Sequence, residues 1–129
     1  MYYNPLRQNH LQLKSKIYIA KYIETIQDED LNQKQVYEKP VKYYFNVQPV
    51  NQESEIREFG EMVEKMKVAV IPEKVKYFNK FKEFDLAYLD GAEPINEIDY
   101  GDKANYRIYA IRNQNTIIRI YFIKRAENQ

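Results

Sequence analysis

The stretch VKYYFNVQPVNQESEIREFGEMVEKMKVAV, residues 41–70, decides the fold class. Between residues 41 and 48, valine and aromatic side chains at the odd positions alternate with more polar side chains at the even positions. This period-2 pattern is typical of a strand with one buried face. Pro49 has no backbone N–H to donate, so we expect the strand to end there. The segment therefore opens with a half-buried strand.

A short helix and a second strand are predicted in the rest of this segment. Asn51 is suited to cap a helix over 51–59, and Glu55 lies in its first turn, where a negative charge is favourable. Gly60 suits the position just beyond the end of such a helix. Alternation resumes afterwards and predicts a strand over 66–71. The local order is therefore strand, short helix, strand.

Composition excludes several classes of protein. The chain has 129 residues and a net charge of +1, so bulk charge does not indicate binding to nucleic acid or to an acidic membrane. There is no cysteine, and His10 is the single histidine, which argues against thiol chemistry and against histidine-centred metal or triad sites. No apolar run approaches the ~20 residues of a membrane span, and the N-terminus lacks a signal-peptide core. We therefore expect synthesis in the cytosol. The 13 tyrosines suit half-buried strands and protein interfaces.

The remaining patterns predict a single domain, 1–129, made of an N-terminal arm, 1–14, a β-barrel core, 15–125, and a tail, 126–129. Strands outnumber helices and no βαβ rhythm is present, so the predicted fold class is mainly β. The architecture would be a small antiparallel barrel or sandwich with one or two short helices and long loops. The further predicted elements are a strand at 16–25, a polar turn-forming linker at 27–35, a helix at 73–84, a short strand at 84–89, and a terminal hairpin of strands 105–111 and 116–124.

Two of these elements carry specific predictions about side-chain direction. In the helix, Tyr77, Phe81 and Phe84 are spaced i, i+4 and i+7, which would place them on one face. In the hairpin, Ile108 and Ala110 are expected to face the same way, as strand alternation requires.

The acidic residues of one loop-rich region are the only candidates for catalysis. A magnesium-dependent nuclease site would need such carboxylates, but here they show no regular spacing and no accompanying basic motif. We therefore interpret them as solvated loop charges and expect neither enzymatic activity, nor a metal, nor a cofactor. These residues are Asp85, Asp90, Glu93, Glu97, Asp99 and Asp102.

A lysine- and aromatic-rich segment, EKVKYFNKFKEF at 73–84, is the first candidate for a channel-facing or partner-facing loop. Lysines can meet phosphates while aromatic rings stack on bases. The simpler interpretation is an amphipathic helix whose aromatic rings enter the core and whose lysines remain in water. The candidate residues are Lys74, Lys76, Tyr77, Lys80 and Lys82. A second loop, 27–40, is also a candidate for contact with partners.

The outer face of the terminal hairpin is a candidate subunit interface. Arg107 and Tyr109 on one strand, with Arg119 and Tyr121 on the other, would share that face. Arginine and tyrosine are enriched among the residues that dominate interface energies. An ordinary exposed strand face has the same composition, so both interpretations stay open.

The order of these segments resembles the head-closure (stopper) proteins of the head–tail connector of long-tailed, non-contractile bacteriophages. Members of that family show an aromatic strand of the form Y-x-x-N-V-x-P, a helical segment ending in F-G, and a V-x-V strand. Here residues 43–49 read YYFNVQP, residues 58–60 read EFG, and residues 68–70 read VAV. The family also ends in a strand pair, for which residues 106–111 and 117–125 fill the places. The resemblance covers about residues 39–125.

The resemblance implies a structural virion protein, a small β-barrel that forms a homo-oligomeric ring in the neck of the particle. The ring would lie beneath the portal and its adaptor protein, close the channel that holds packaged double-stranded DNA, and dock the tail terminator or tail tube. The location would be the virion neck, and the host cytoplasm during assembly, with no membrane partner.

Two alternatives remain at this stage. The chain could be a tail terminator or another head–tail joining component. It could also be a single-stranded nucleic-acid-binding barrel that stacks bases on Tyr77, Phe78 and Phe81.

Overall fold

The two strands predicted in residues 41–70 are adjacent and antiparallel in the computed structural model, which describes residues 14–126. Strands account for 47% of these described residues and helices for 15%, which confirms the mainly β fold class. His10 and nearly all of the predicted arm, 1–14, as well as residues 127–129, lie outside the described residues. The elements are β1 Lys14–Ala20, β2 Tyr22–Gln27, β3 Gln33–Tyr37, β4 Val41–Pro49, α1 Glu53–Phe59, a 3-10 helix Gly60–Lys65, β5 Met66–Ile71, α2 Lys74–Tyr77, β6 Leu86–Tyr88, β7 Tyr106–Gln114 and β8 Ile117–Lys124.

Six of the strands form one antiparallel sheet in the order β1-β4-β5-β8-β7-β6, and β6 pairs with β1 to close it into a barrel. The closing contact is short and joins Tyr18 to Tyr88, Ile19 to Ala87 and Ala20 to Leu86. Strands β2 and β3 pair only with each other and form a separate hairpin. Because β1 skips this hairpin to pair with β4, the hairpin is an insertion at one end of the barrel.

Apolar side chains fill the barrel and also cover part of its outside. The interior cluster is formed by alternate residues of the six strands, with Phe81 added from the segment between α2 and β6. A second cluster lies between α1 and the outer face of β5 and β8, where Phe59 packs on Tyr121. A third cluster, around Leu86 and Tyr88, supports the closing contact of the sheet. The chain therefore buries both faces of the sheet under α1.

The predicted strand over 16–25 is wrong as a single element, and so is the linker over 27–35. The chain leaves the barrel at Lys21, whose carbonyl accepts a hydrogen bond from the Glu38 amide at 2.7 Å. Alternation continues through Ile23, but that side chain is 52% exposed. The polar linker is mostly a turn followed by β3, so 27–35 belongs to the hairpin.

The predicted helix over 73–84 is wrong beyond its first turn. Helical geometry ends at Tyr77, and Asn79 and Phe84 have φ angles of 59° and 76°. Such left-handed residues cannot continue a right-handed helix. Phe81 is nevertheless buried as predicted, whereas Phe84 is 58% exposed.

The terminal hairpin is confirmed, with a longer first strand and a shorter turn than predicted. A β-bulge lies between Ile108 and Ala110, since Ile108 pairs with Phe122 and Ala110 pairs with Tyr121. An extra residue in one strand reverses the alternation beyond it. Ile108 therefore faces the interior while Ala110 packs in the cluster beneath α1, and the prediction that they share a face is wrong.

Candidate functional site

The hairpin of β2 and β3, residues 22–37, projects from the barrel. It is called the arm below and is distinct from the predicted N-terminal arm, 1–14. All six residues of β2 and the first three of β3 are exposed. At its tip the Asp28 carboxylate accepts hydrogen bonds from the backbone amides of Asp30 and Asn32, each at 2.9 Å. Leu31 takes a φ of 64° in this turn, and its side chain is 74% exposed. The arm is thus an ordered hairpin with solvent on both faces.

The base of the arm is fixed to the barrel. The rings of Tyr22 and Tyr37 meet edge to face at 5.8 Å, and Tyr37 also packs against the cluster around Leu86. The Tyr22 amide donates a hydrogen bond to a carboxylate oxygen of Asp85 at 2.9 Å. The arm therefore has a defined direction although its outer part contacts little of the barrel.

Residues 72–84, called the lid below, cover the same end of the barrel. Their aromatic rings interlock with two rings of β4: Phe81 meets Tyr43 at 5.1 Å, and Tyr77 meets Phe45 at 5.2 Å, both nearly perpendicular. Edge-to-face pairs of this kind each contribute roughly 0.5–1.5 kcal/mol beyond area burial. Phe81 is only 5% exposed and plugs the barrel mouth.

The structure brings together three of the five lid residues singled out in the sequence, namely Lys76, Tyr77 and Lys80. The Lys80 ammonium lies over the rings of Tyr43 and Tyr77 at 5.5 and 5.7 Å, and the Lys76 ammonium lies 5.3 Å from the Tyr77 ring. Lys74 is half-buried and Lys82 is exposed. These contacts keep the positive charges at the outer surface, above aromatic rings that belong to the core.

Exposed apolar side chains accompany these lysines. Val75 is 97% exposed and Phe78 is 53% exposed. Single exposed apolar side chains are common on solvated surfaces, whereas a group of them is typical of an interface. The lid thus presents both positive charge and apolar area.

A single carboxylate joins the arm to the lid. Asp85 is 3% exposed; one of its oxygens accepts the Tyr22 amide, and the other accepts the Lys82 amide at 3.0 Å. Burial raises the pKa of Asp85 above its usual value, although both backbone hydrogen bonds act in the opposite direction. Asp85 is therefore a structural link between the two surfaces and not a free acid.

Three of the other five acidic candidates also have contacts within the chain, and the interpretation as solvated loop charges is wrong for the buried Asp85 and Asp99. Asp99 accepts hydrogen bonds from the Tyr88 hydroxyl at 2.7 Å and from the amides of Ile95 and Lys103. Asp90 accepts the Tyr106 hydroxyl. Further, Lys67 pairs with Asp90, and Lys16 pairs with Glu93, while Glu97 and Asp102 are exposed. Among residues 14–126 no group of three or more acidic or histidine side chains is placed to hold a metal ion.

The four residues proposed above as a subunit interface lie on the outer face of the terminal hairpin, but α1 covers much of that face. They are Arg107, Tyr109, Arg119 and Tyr121. Arg119 and Tyr121 are 8% and 2% exposed. Arg107 stacks on Tyr109 at 5.6 Å, and both are half-buried. Arg119 and Tyr121 are therefore internal contacts of this chain, and only Arg107 and Tyr109 retain exposed area for another subunit.

A buried acidic residue accounts for this arrangement. Glu55 of α1 is 4% exposed, and one of its carboxylate oxygens accepts hydrogen bonds from Arg119, at 2.9 Å, and from the Tyr121 hydroxyl. Its other oxygen has no hydrogen-bond partner. A second pair, Arg112 with Glu58, holds the same helix at its exposed edge. These contacts fix α1 on β8.

The arm was missed in the sequence because its polar turn was interpreted as a linker. The available signals were an aspartate that can cap its own turn at Asp28 and β-branched residues on both sides of it, Thr25 and Val36. The sequence did mark the loop 27–40 as a candidate for contact with partners, but it did not predict the hairpin that presents the acidic tip and Leu31.

Comparison of the chain with protein-family models, with curated protein sequences and with solved structures gave no significant match. Within residues 14–126 no helix has the length and apolar character needed to cross a membrane.

Proposed function

We propose that this chain is a structural subunit of the phage head–tail connector, forming a ring beneath the portal adaptor that closes the DNA channel and docks the tail. The observation that carries the proposal, beside the resemblance over residues 39–125, is the arm. The barrel is closed without it, and the arm has both faces exposed. A two-stranded hairpin is at best marginally stable alone, and this one exposes Leu31 at an acidic tip, so a partner surface would stabilise it.

The closed barrel determines how such subunits can associate. A closed barrel has no free strand edge, so neighbours cannot join by adding strands to it. Contacts must instead come from side chains, from loops and from the arm. The arm and the lid lie at the same end, since β1 leaves the barrel there and β5 enters the lid there. This end would meet one partner of the ring or the channel.

The proposed mechanism is steric. Loops from each subunit would narrow the channel, and tail attachment or infection would move them, which needs no catalytic group or cofactor. The net charge of +1 is compatible with DNA passing through, because a strongly basic pore would hold phosphates tightly. A tail terminator or another head–tail joining component would use the same features, and particle location separates these roles.

The single-stranded nucleic-acid-binding alternative has weaker support. It requires three aromatic rings to be open for stacking. Phe81 is 5% exposed and Tyr77 is half-buried against β4, which leaves only Phe78 open. We therefore prefer the connector role.

Cryo-electron microscopy of purified particles, from a virus whose genome encodes this chain, tests the proposal. The expected result is a symmetric ring of the chain between the portal adaptor and the tail. Absence of the chain from the portal vertex would refute the connector role, and a ring at the tail end of the joint would assign the terminator role.

A shortened arm provides a matched functional test. Tyr22 and Tyr37 face each other at the base, so residues 23–36 can be replaced by Asn-Gly, which forms a tight two-residue turn. We expect a folded barrel that fails to enter particles. As a control, substituting Glu97, on an exposed loop away from the arm, should leave incorporation unchanged.

A further inference from the structure

We propose that the arm of one copy docks on the lid of a second copy, so that subunits join head to tail. This inference rests on the ring proposed above and specifies its subunit contact. The arm and the lid differ in composition in a way that fits one surface against the other.

The two surfaces have opposite charge. The arm contains four carboxylates and one lysine, a net charge of 1 − 4 = −3, whereas the lid contains four lysines and two glutamates, a net charge of 4 − 2 = +2. Three of the arm's carboxylates, at residues 28–30, follow one another at the tip. Opposite potentials on two surfaces favour and orient their association.

Neither set of charges is satisfied within the chain. Among residues 14–126, no carboxylate of the arm lies within ion-pair distance of an ammonium or guanidinium group. In the lid, Lys74, Lys80 and Lys82 have no carboxylate partner in that range either, and Lys76 reaches Glu73 only at 4.0 Å. The charges of the arm therefore do not neutralise those of the chain's own lid.

Apolar side chains lie beside the charges on both surfaces. Leu31 at the arm tip is 74% exposed and Ile26 is 41% exposed, while Val75 and Phe78 are exposed in the lid, as is Phe84 at its end. An apolar centre with a charged rim is the usual anatomy of a protein interface. Docking would bury the first four of these side chains together.

The geometry permits contact between copies. Six residues of β2 at about 3.3 Å each give the arm a length of roughly 20 Å from base to tip. The hydrogen bond from Tyr22 to Asp85 fixes the direction at the base. Each copy then offers one arm and one lid, and such heterologous contacts close into a ring when the rotation between copies permits it.

A second copy suits both surfaces better than DNA does. Phosphates would repel the acidic tip, so DNA could occupy only the lid. A neighbouring subunit supplies the acidic partner for the lid and the basic partner for the arm at once.

Disulfide trapping tests the contact cleanly because the native chain has no cysteine. The variants Leu31→Cys and Val75→Cys are mixed and oxidised at low ionic strength. We expect heterodimers to form at least about tenfold faster than with Ile98→Cys in place of Val75→Cys, because docking raises the local thiol concentration. Ile98 is a matched control, being 80% exposed on a different loop. High salt should remove the difference.

Charge exchange provides the second measurement. Glu29→Lys with Asp30→Lys in the arm partner, which leaves the Asp28 carboxylate in its turn, should abolish the fast cross-link, as should Lys80→Glu with Lys82→Glu in the lid partner. Combining the two altered partners should restore it. Equal rates with the Ile98→Cys control, or failure of the combination to restore the cross-link, would overturn the inference. DNA protection of the lid without any cross-link would overturn it too.

The outcomes separate this inference from the proposed function. A ring at the portal vertex whose subunits touch elsewhere would refute the docking and leave the connector role standing. A fast, charge-dependent cross-link in a protein that is absent from the portal vertex would support the docking and refute the connector role.

Discussion

Replacing Arg119 by methionine should destabilise the protein strongly, because it removes the cation from a buried pair. Glu55 and Arg119 have side chains that are only 6% and 9% exposed. Breaking such a pair from one side leaves an uncompensated buried charge, which costs about 3–5 kcal/mol of unfolding free energy. The unpartnered oxygen of Glu55 indicates that the pair does not fully offset its own desolvation. The double variant Glu55→Leu/Arg119→Met removes both charges but leaves the buried Tyr121 hydroxyl without its two partners, which costs about 1–3 kcal/mol. It should therefore lose less stability than Arg119→Met alone.

Urea unfolding followed by far-ultraviolet circular dichroism measures these free energies. The exposed pair of Arg57 with Glu53, four residues apart on the same helix, is the matched control. Since its side chains are 76% and 82% exposed, Arg57→Met should change stability by less than about 0.5 kcal/mol. A loss below about 1 kcal/mol for Arg119→Met, or a double variant as unstable as the two single changes summed, would refute the reasoning.

Two further predictions concern residues that contact β6 and the loop that follows it. Gly101→Ala should destabilise by about 2–4 kcal/mol, because the new Cβ would lie 2.9 Å from the Leu86 Cδ1 atom at a φ of 94°. Gly91→Ala, at a φ of 83° with nothing within 4 Å, should show only the conformational part, about 1–2 kcal/mol; equal losses in thermal or urea unfolding would contradict the clash. Burial and the hydrogen bond to Asp90 raise the pKa of Tyr106 to about 12. Because the folded pKa lies above the unfolded one, this stabilisation is complete below pH ~10 and is lost as the pH rises towards 12. Between pH 9 and pH 11.5 the native chain should therefore lose about 2 kcal/mol more than Tyr106→Phe does, and an identical loss in both would show that the phenol does not titrate as inferred.

The local part of the fold could be predicted from the sequence. Strand β4, helix α1 and strand β5 follow from short-range signals, namely alternation around Phe45, the proline at 49 and the glycine at 60. The helix begins one residue later than expected, after Gln52, and has no side-chain cap. These elements depend on neighbours in sequence, so their pattern is visible in the chain itself.

The missed features depend on contacts between distant residues. The end of β1 at Lys21 is set by a hydrogen bond to Glu38 across the base of the arm, while the side-chain pattern continues without interruption. The lid stops being helical where its aromatic rings pack against Tyr43 and Phe45 of the barrel. Asparagine tolerates the positive φ of Asn79, but the neighbouring sequence does not require it. Glu55 was predicted only as a favourable negative charge in a first helical turn, and the packed structure shows that it is buried against Arg119.

The positions of the candidate residues could be predicted only in part, because they too depend on contacts between distant residues. Lys76 and Lys80 of the lid do lie above the same ring, that of Tyr77, whereas their common helix was predicted incorrectly. The outer face of the terminal hairpin was correctly assigned to Arg119 and Tyr121, but its covering by α1 comes from elsewhere in the chain. The acidic tip lay in a stretch that was interpreted as a linker.

The shared carboxylate of Asp85 makes the arm a lever. Its two oxygens hold the amides of Tyr22 and Lys82, so the arm cannot tilt about its base without either carrying the lid along or breaking a hydrogen bond. Breaking one costs about 1–3 kcal/mol, since the group released is buried. The tip lies about 20 Å along the arm from this hydrogen bond, so a force at the tip acts on the bond through a lever of that length. Hydrogen exchange would register the linkage as joint loss of protection at the two amides when the tip is pulled or bound.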